Sequence, residues 1–184
     1  MRTPLTYADY AALPDDSNRY ELIDGALVRM PTPGLGHQRT VLALARILAD
    51  HVDLRSLGTV AISPVDVILS DVKTVQPDIV FTANDRQHQL RKRGIVGPPT
   101  LVVEVLSPER LEHDLEVKRE IYFRFGVPHY WIVDPEQRTL EGLYSEADGY
   151  RRDAAFSGND AAALRPFPDL VIPLGMLWSP ELPD

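Results

Sequence analysis

The stretch Leu101-Val102-Val103-Glu104-Val105-Leu106 decides the fold, because it is a nearly continuous apolar run with one carboxylate in its middle. Such a run is typical of a β-strand that is buried on both faces of a sheet. A helical pattern follows at residues 114–125, then a second buried strand at 128–133 and its antiparallel partner at 139–144. Strands before, between and after two helices predict an α/β (α+β) fold with a mixed central sheet flanked by helices.

The chain before this stretch supplies the rest of the predicted sheet. Asp-Gly at positions 24–25, between two β-rich runs, predicts an N-terminal β-hairpin with Glu21 on its first strand. Apolar residues at helical spacing from Val41 to Val52 predict a helix with His37 at its start. The remaining predictions are strands at 59–62, 65–69 and 74–81, a long loop at 83–99 and an irregular tail at about 166–184.

Composition bounds the class of protein. A chain of 184 residues with 44% hydrophobic and 25% charged residues predicts one globular domain over residues 1–184. Cysteine is absent, which excludes disulfides, thiolate zinc sites and cysteine nucleophiles, and we expect a cytoplasmic protein. The sequence has no signal-peptide pattern and no run of about 18 apolar residues, so we expect no membrane partner.

The net charge of −8 opposes nucleic-acid binding through overall charge, so such a role requires a local basic patch. Residues 86–93 (RQHQLRKR) carry four positive charges and no acid. A run of this kind is usually a solvated loop. Its Arg91, Lys92 and Arg93 are nevertheless the candidate nucleic-acid contacts of this chain.

Two carboxylates are candidates for a metal site. Glu104 is expected to be buried, so it must be protonated, paired with a base such as Lys118, or bound to a metal ion. Asp78 follows Pro77, which interrupts strand pairing, so its side chain either enters a cleft or caps a turn. Two carboxylates about 4 Å apart repel by about 4 kcal/mol at an effective dielectric of 20. Magnesium or manganese would remove that repulsion.

Lys118 is the candidate cation for the same cleft. It lies on the helix after the Glu104 strand, four residues from both Asp114 and Tyr122, so the three share a helix face. A lysine there could hold an attacking water and offset charge that develops on a phosphoryl group. The alternatives are a surface lysine and an intrahelical partner of Asp114, and spacing leaves them open.

Six blocks in order along residues 5–145 resemble the Uma-type restriction endonuclease family of the PD-(D/E)XK nuclease superfamily. Their order makes the match more specific than any single block. The blocks are Tyr20-Glu21-Leu22-Ile23-Asp24-Gly25, His37-Gln38, Gln76-Pro77-Asp78-Ile79, Val103-Glu104-Val105-Leu106-Ser107-Pro108, Asp114 with Lys118, and Gly126-Val127-Pro128-His129-Tyr130-Trp131-Ile132-Val133-Asp134-Pro135.

The resemblance implies a restriction-endonuclease-like core in which Asp78, Glu104 and the backbone carbonyl of Val105 bind Mg²⁺ or Mn²⁺. It implies that Lys118 is the catalytic lysine. The superfamily pattern usually places that lysine two residues after the second acid, a position that Leu106 occupies here. The family resembled moves the lysine to the following helix.

The resemblance also gives roles to three further residues. Glu21 matches a position that joins the acidic cluster, against the alternative of an exposed hairpin residue. His37 and Asp114 match motif positions and are candidates to support the metal ligands. A histidine at a helix start is more often a cap than a ligand, so both readings of His37 stay open.

Three functions remain open at this point. The first is a metal-dependent DNA endonuclease, which would act as a homodimer to cut both strands. The second is a catalytically inactive nuclease-fold dimer that binds nucleic acid or protein, which the acidic net charge favours. The third is a glycosidase-type carboxylate pair without metal, which the nearby lysine disfavours. An apolar face on the hairpin 130–144 is the predicted dimer surface.

Overall fold

The structure, a computed structural model, describes residues 3–14, 16–107 and 112–178, with residues 112–114 described by their backbone alone. The helices in these ranges are α1 Tyr7–Ala11, α2 Leu35–Arg55 and α3 Glu112–Arg124. The strands are β1 Arg19–Ile23, β2 Ala26–Met30, β3 Gly58–Ile62, β4 Asp66–Ser70, β5 Lys73–Val75, β6 Ile79–Ala83, β7 Leu90–Arg91, β8 Gly94–Val96, β9 Leu101–Val105, β10 His129–Asp134, β11 Thr139–Glu146, β12 Gly149–Ser157, β13 Ala161–Leu164 and β14 Phe167–Pro173. Two short 3-10 helices span Asn84–Gln89 and Leu174–Met176. Among these described elements, no helix is both long enough and apolar enough to cross a membrane.

The strands form two six-stranded sheets and a separate hairpin. Sheet A has the order β2-β1-β5-β4-β8-β7, and sheet B has the order β12-β11-β10-β9-β6-β3. Each sheet is mixed, because β4 pairs with β8 and β9 pairs with β10 in parallel while the other pairs are antiparallel. The predicted α+β class with a mixed central sheet is confirmed, and the second sheet is an addition to it.

The two sheets separate at Gln76-Pro77-Asp78. Residues 74–81 were expected to form one strand, but β5 belongs to sheet A and β6 belongs to sheet B. Proline has no N–H to donate to a ladder, so a strand cannot pair continuously through Pro77. The break therefore leaves Asp78 at the start of β6, between the two sheets.

Sheet B is covered on both faces. One face packs against α2 and the hairpin β13–β14, through residues such as Ile79, Val103 and Trp131. The other face packs against α3 and sheet A, through residues such as Val80, Val102 and Tyr130. Adjacent residues on each strand point to opposite faces, which is why β9 is apolar at almost every position.

The N-terminal hairpin is confirmed and is tied to sheet A. Asp24 and Gly25 both have positive φ values, 51° and 75°, as the two-residue turn of a tight hairpin requires. Leu22 pairs with Leu27 on one side and with Thr74 of β5 on the other. This second pairing brings Glu21 close to the break between the sheets.

Three further expectations from the sequence are wrong. The loop expected at 83–99 contains a 3-10 helix and the strands β7 and β8, which are too short to show periodicity. The tail expected to be irregular from residue 166 contains β14. Pro168 is compatible with this strand, because a two-stranded hairpin leaves one edge of each strand unpaired. The hairpin β10–β11 has no exposed apolar face, since β12 pairs with β11 and the large side chains of the hairpin are buried.

Candidate active site

Asp78 and Glu104 come together at one end of sheet B. Ile79 pairs with Val103 in the antiparallel pair β6–β9, so Asp78 stands one position before β6, across from Glu104. Side chains at facing positions of an antiparallel pair lie on the same side of the sheet. The two residues are 1% and 0% exposed, so both acids are removed from bulk water.

Asp78 is held by the backbone and by a histidine. Its Oδ2 accepts a hydrogen bond from the N–H of Val105 at 2.8 Å and lies 3.2 Å from Nε2 of His37. The carbonyl of Asp78 accepts the N–H of Ser63 at 3.0 Å. His37 is therefore a contact of the candidate metal ligand, and not a helix cap. Its other ring nitrogen, Nδ1, is buried without a hydrogen-bond partner among the described residues.

Glu104 is held by two side chains of α3. Its Oε1 accepts a hydrogen bond from the hydroxyl of Tyr122 at 2.5 Å and lies 3.4 Å from Nζ of Lys118. Lys118 and Tyr122 reach the same carboxylate because they are four residues apart on one helix face. Burial, and after it the charges of Glu104 and Glu21, raise the pKa of Tyr122 well above 10.0. The phenol therefore stays protonated and can donate its hydrogen bond to Glu104.

Glu21 completes the cluster from the N-terminal hairpin. Its Oε1 accepts a hydrogen bond from Nζ of Lys118 and another, at 2.8 Å, from the backbone N–H of Gln76. Glu21 is 1% exposed and Lys118 is 2% exposed. The alternatives of an exposed hairpin residue and a surface lysine are therefore wrong. Lys118 instead forms a bridge between Glu21 and Glu104.

The described side chains of the cluster are mainly acidic. By formal charge, Glu21, Asp78 and Glu104 contribute −3 and Lys118 contributes +1. Carboxylate oxygens are the ligands that hard divalent cations prefer. The described part of the cluster therefore has donor atoms that suit such a cation.

The donor set fits magnesium or manganese. Both ions prefer carboxylate and carbonyl oxygens, and magnesium is commonly bound through one or two carboxylates with water or phosphate oxygens filling its other positions. Asp78 and Glu104 provide two carboxylates at one end of sheet B. In the part of the chain that the structure describes, no group of three or more His, Asp or Glu side chains is arranged to hold a metal ion. The two acids, the Val105 carbonyl and Glu21 are the groups that the sequence analysis names as candidates to hold such an ion, and all four are described.

The remaining predicted site residues lie away from the acidic cluster or outside the described residues. Arg91, Lys92 and Arg93 are exposed at the turn between β7 and β8, at the edge of sheet A. Arg91 donates to the carbonyl of His88 at 2.6 Å, and Arg93 donates to the carbonyl of Ala11 at 3.1 Å. The side chain of Asp114 lies outside the described residues, so its predicted supporting role stays a prediction.

Three residues in or beside the cluster, Tyr122, Gln76 and Arg19, were not predicted as site residues. Tyr122 was noted on the Lys118 helix face, and this spacing was the signal that it shares the target of Lys118. Gln76 had no such signal, because its backbone N–H meets Glu21 only through the pairing of β1 with β5. Arg19 was also missed. Its Nε donates to the side chain of Gln76 at 3.3 Å, and its guanidinium donates to Ser63.

Comparison with known proteins places this cluster in a family context. A solved structure from Anabaena variabilis, described as a putative nuclease belonging to DUF820, has the same fold with a TM-score of 0.78 and 19% sequence identity. The alignment covers 95% of this chain and 98% of that one. A search of curated proteins gives no match.

A family model described as "Uma2: Putative restriction endonuclease" matches residues 7–175. The matched range contains every described residue of the cluster, from Glu21 on β1 to Tyr122 on α3. It also contains both sheets and the hairpin β13–β14. The chain therefore belongs to the Uma2 family.

Proposed function

We propose that the protein is a metal-dependent endonuclease that hydrolyses phosphodiester bonds of DNA. The observation that carries the proposal is the burial of Lys118 between Glu21 and Glu104, at the end of sheet B where Asp78 also lies. The family model and the fold of the Anabaena protein both support a nuclease. A lysine beside two acids is also suited to attack on a phosphate diester, because the acids can hold a metal ion and the lysine can offset developing negative charge.

Asp78, Glu104 and the carbonyl of Val105 would hold the metal ion, Mg²⁺ or Mn²⁺, with Glu21 as an additional carboxylate of the cluster. When bound, such an ion polarises a phosphoryl oxygen and lowers the pKa of a bound water. The N–H of Val105 donates to Oδ2 of Asp78 and keeps this oxygen fixed relative to β9, because Val105 belongs to that strand. The hydroxyl of Tyr122 fixes Glu104 in the same way from α3.

Lys118 would act on the substrate. Its ammonium group has three N–H donors, and Glu21 and Glu104 orient it from two sides. We infer that it holds the attacking water and offsets the negative charge that builds up on the phosphoryl oxygens. Water attack forms a new oxygen–phosphorus bond while the bond to the leaving oxygen breaks. The attacking water releases one proton to the solvent, and the leaving oxygen takes up one proton from the solvent.

The test measures metal binding and cleavage on the same samples. Manganese is titrated calorimetrically into the wild type and into the double variant Asp78→Asn, Glu104→Gln, and plasmid nicking is assayed in parallel. These isosteric changes remove charge and keep side-chain volume, so both proteins should fold. Glu136→Gln, at an exposed turn, is the matched control. Metal binding and nicking should both be lost in the double variant and kept in the control.

Two other outcomes would change the proposal. Nicking that continues in the double variant would place the chemistry elsewhere. A wild type that binds no manganese and nicks no plasmid would favour the inactive binding module. A homodimer that cuts both strands is part of the proposal, and sedimentation of the wild type with a DNA duplex tests it.

A further inference from the structure

Three surface cavities share lining residues and together form a groove, one part of which is lined by Gln76 beside the acidic cluster. It consists of three adjoining cavities of about 620, 340 and 320 Å³. The first and second share Asn18 and Arg19, and the second and third share Pro64 and Arg93. The groove therefore extends from the open end of the β1–β2 hairpin to the turn between β7 and β8.

The groove is basic although the protein is acidic. Its walls contain five basic side chains, which are Arg19, Arg29, Arg91, Lys92 and Arg93. The described wall residues include two acidic ones, Asp16 and Asp66, so the formal charge of the described walls is +3 on a chain whose net charge is −8. Both acids accept hydrogen bonds from tyrosines, Asp16 from Tyr20 and Asp66 from Tyr10. The positive charge is thus concentrated along one path.

Arg19 connects the groove to the acidic cluster. Its side chain lines two of the cavities and donates to the side chains of Gln76 and Ser63. The backbone N–H of Gln76 donates to Glu21, and the backbone N–H of Ser63 donates to the carbonyl of Asp78. A polyanion in the groove would therefore pass beside Gln76 and Ser63, which contact Glu21 and Asp78 of the cluster.

We propose that this basic groove binds the sugar-phosphate backbone of the DNA substrate. The inference rests on the proposed function, because the nuclease activity is what makes DNA the ligand. Arginine and lysine neutralise backbone phosphates without reading sequence, and clustering them along one path allows an acidic protein to bind a polyanion locally. The turn residues Arg91, Lys92 and Arg93 then form one end of the path, and Arg29 forms the other.

The test measures binding without cleavage. A fluorescent DNA duplex is titrated with the full chain in EDTA, at several salt concentrations between about 50 and 200 mM. The groove variant is Arg29→Gln, Lys92→Gln, whose parent residues are both exposed. The control variant is Arg151→Gln, Arg152→Gln, which removes two exposed arginines on β12, outside the groove. Each variant changes the net charge from −8 to −10, so overall charge is matched.

The groove variant should bind more weakly and with a smaller salt dependence. Losing two phosphate contacts should reduce the slope of log K against log salt by about 2 and weaken binding about 50-fold near 0.1 M salt. The control should stay within about twofold of the wild type. Equal losses of DNA affinity in the two variants, or a wild type that binds no duplex, would overturn the proposal that the groove binds DNA.

A plasmid-nicking assay with manganese separates this inference from the proposed function. If the wild type and the groove variant nick equally well at limiting substrate, the proposal that the groove binds DNA is wrong, while the proposed nuclease function is supported. If the binding results are as expected but the wild type does not nick, DNA binding by the groove is supported, while the proposed nuclease function is wrong.

Discussion

The two acids at the end of sheet B are held in different ways. Asp78 is fixed by a backbone N–H of the neighbouring strand and by His37 of α2. The Oε1 of Glu104 contacts two side chains of α3, Tyr122 and Lys118. Sheet register therefore positions the first acid, while the packing of one helix positions the second. The comparison predicts that substitutions on α3 will affect stability and activity more than substitutions around Asp78.

The largest effect is expected from Lys118→Met. The change removes the ammonium group that bridges two buried carboxylates, and breaking a buried ion pair costs about 3–5 kcal/mol of unfolding free energy. Urea unfolding measures the loss of stability, and a plasmid-nicking assay should show that activity is lost as well.

A companion variant shows whether the lost bridge is the cause. Adding Glu21→Gln to Lys118→Met removes one of the two uncompensated charges, so the double variant should be more stable than Lys118→Met alone. A loss below about 1 kcal/mol for Lys118→Met would mean that the lysine does not hold α3 against the sheet. The proposed difference in how Asp78 and Glu104 are held would then be wrong.

A smaller effect is expected from Tyr122→Phe. The change removes a hydrogen bond to a buried carboxylate, which is worth about 1.5–3 kcal/mol, and leaves the ring packing in place. The raised pKa of Tyr122 adds a pH signature. Above pH 10.0 the unfolded phenol loses its proton while the folded one keeps it, so this contribution to stability declines as the pH rises.

The advantage of the wild type over Tyr122→Phe should therefore be constant below pH 10 and shrink above it. Urea unfolding of both proteins across this range measures the difference, and the other tyrosines cancel because both chains contain them. An advantage that grows above pH 10 would show that the folded phenol ionises more readily than the unfolded one.

The sequence predicted the two acids for reasons that act locally. Apolar neighbours on both sides of Glu104 predict its burial, and Pro77 predicts a break in pairing beside Asp78. Lys118 could not be predicted from local features in the same way. Helical spacing shows which residues share its side of the helix, but it does not show which part of the protein that side contacts. Its place after the Glu104 strand made Lys118 a candidate and left a surface lysine open, and the resemblance implied its catalytic role. The structure shows that its side chain meets both Glu21 and Glu104.

The remaining parts of the site depend on contacts between distant segments. Gln76 reaches Glu21 across 55 positions, and Arg19 reaches Gln76 across 57. These contacts exist because β1 pairs with β5 in a second sheet, which no periodicity in the sequence distinguishes from the first. The basic groove was missed for the same reason, since its two ends are 62 positions apart between Arg29 and Arg91.

The smallest effect is expected from His37→Leu. Asp78 keeps the N–H of Val105 as a donor, and the lost contact with His37 is the longer of the two, 3.2 Å against 2.8 Å. A single hydrogen bond of this kind contributes about 0.5–1.5 kcal/mol, so the variant should fold and should still bind manganese. We expect a loss of nicking that is smaller than for Lys118→Met and that comes from a less fixed carboxylate. If His37→Leu instead abolishes manganese binding while Tyr122→Phe leaves it intact, the histidine is itself a ligand or the main support of Asp78. The backbone would then no longer explain how the first acid is held, and both acids would depend on helices.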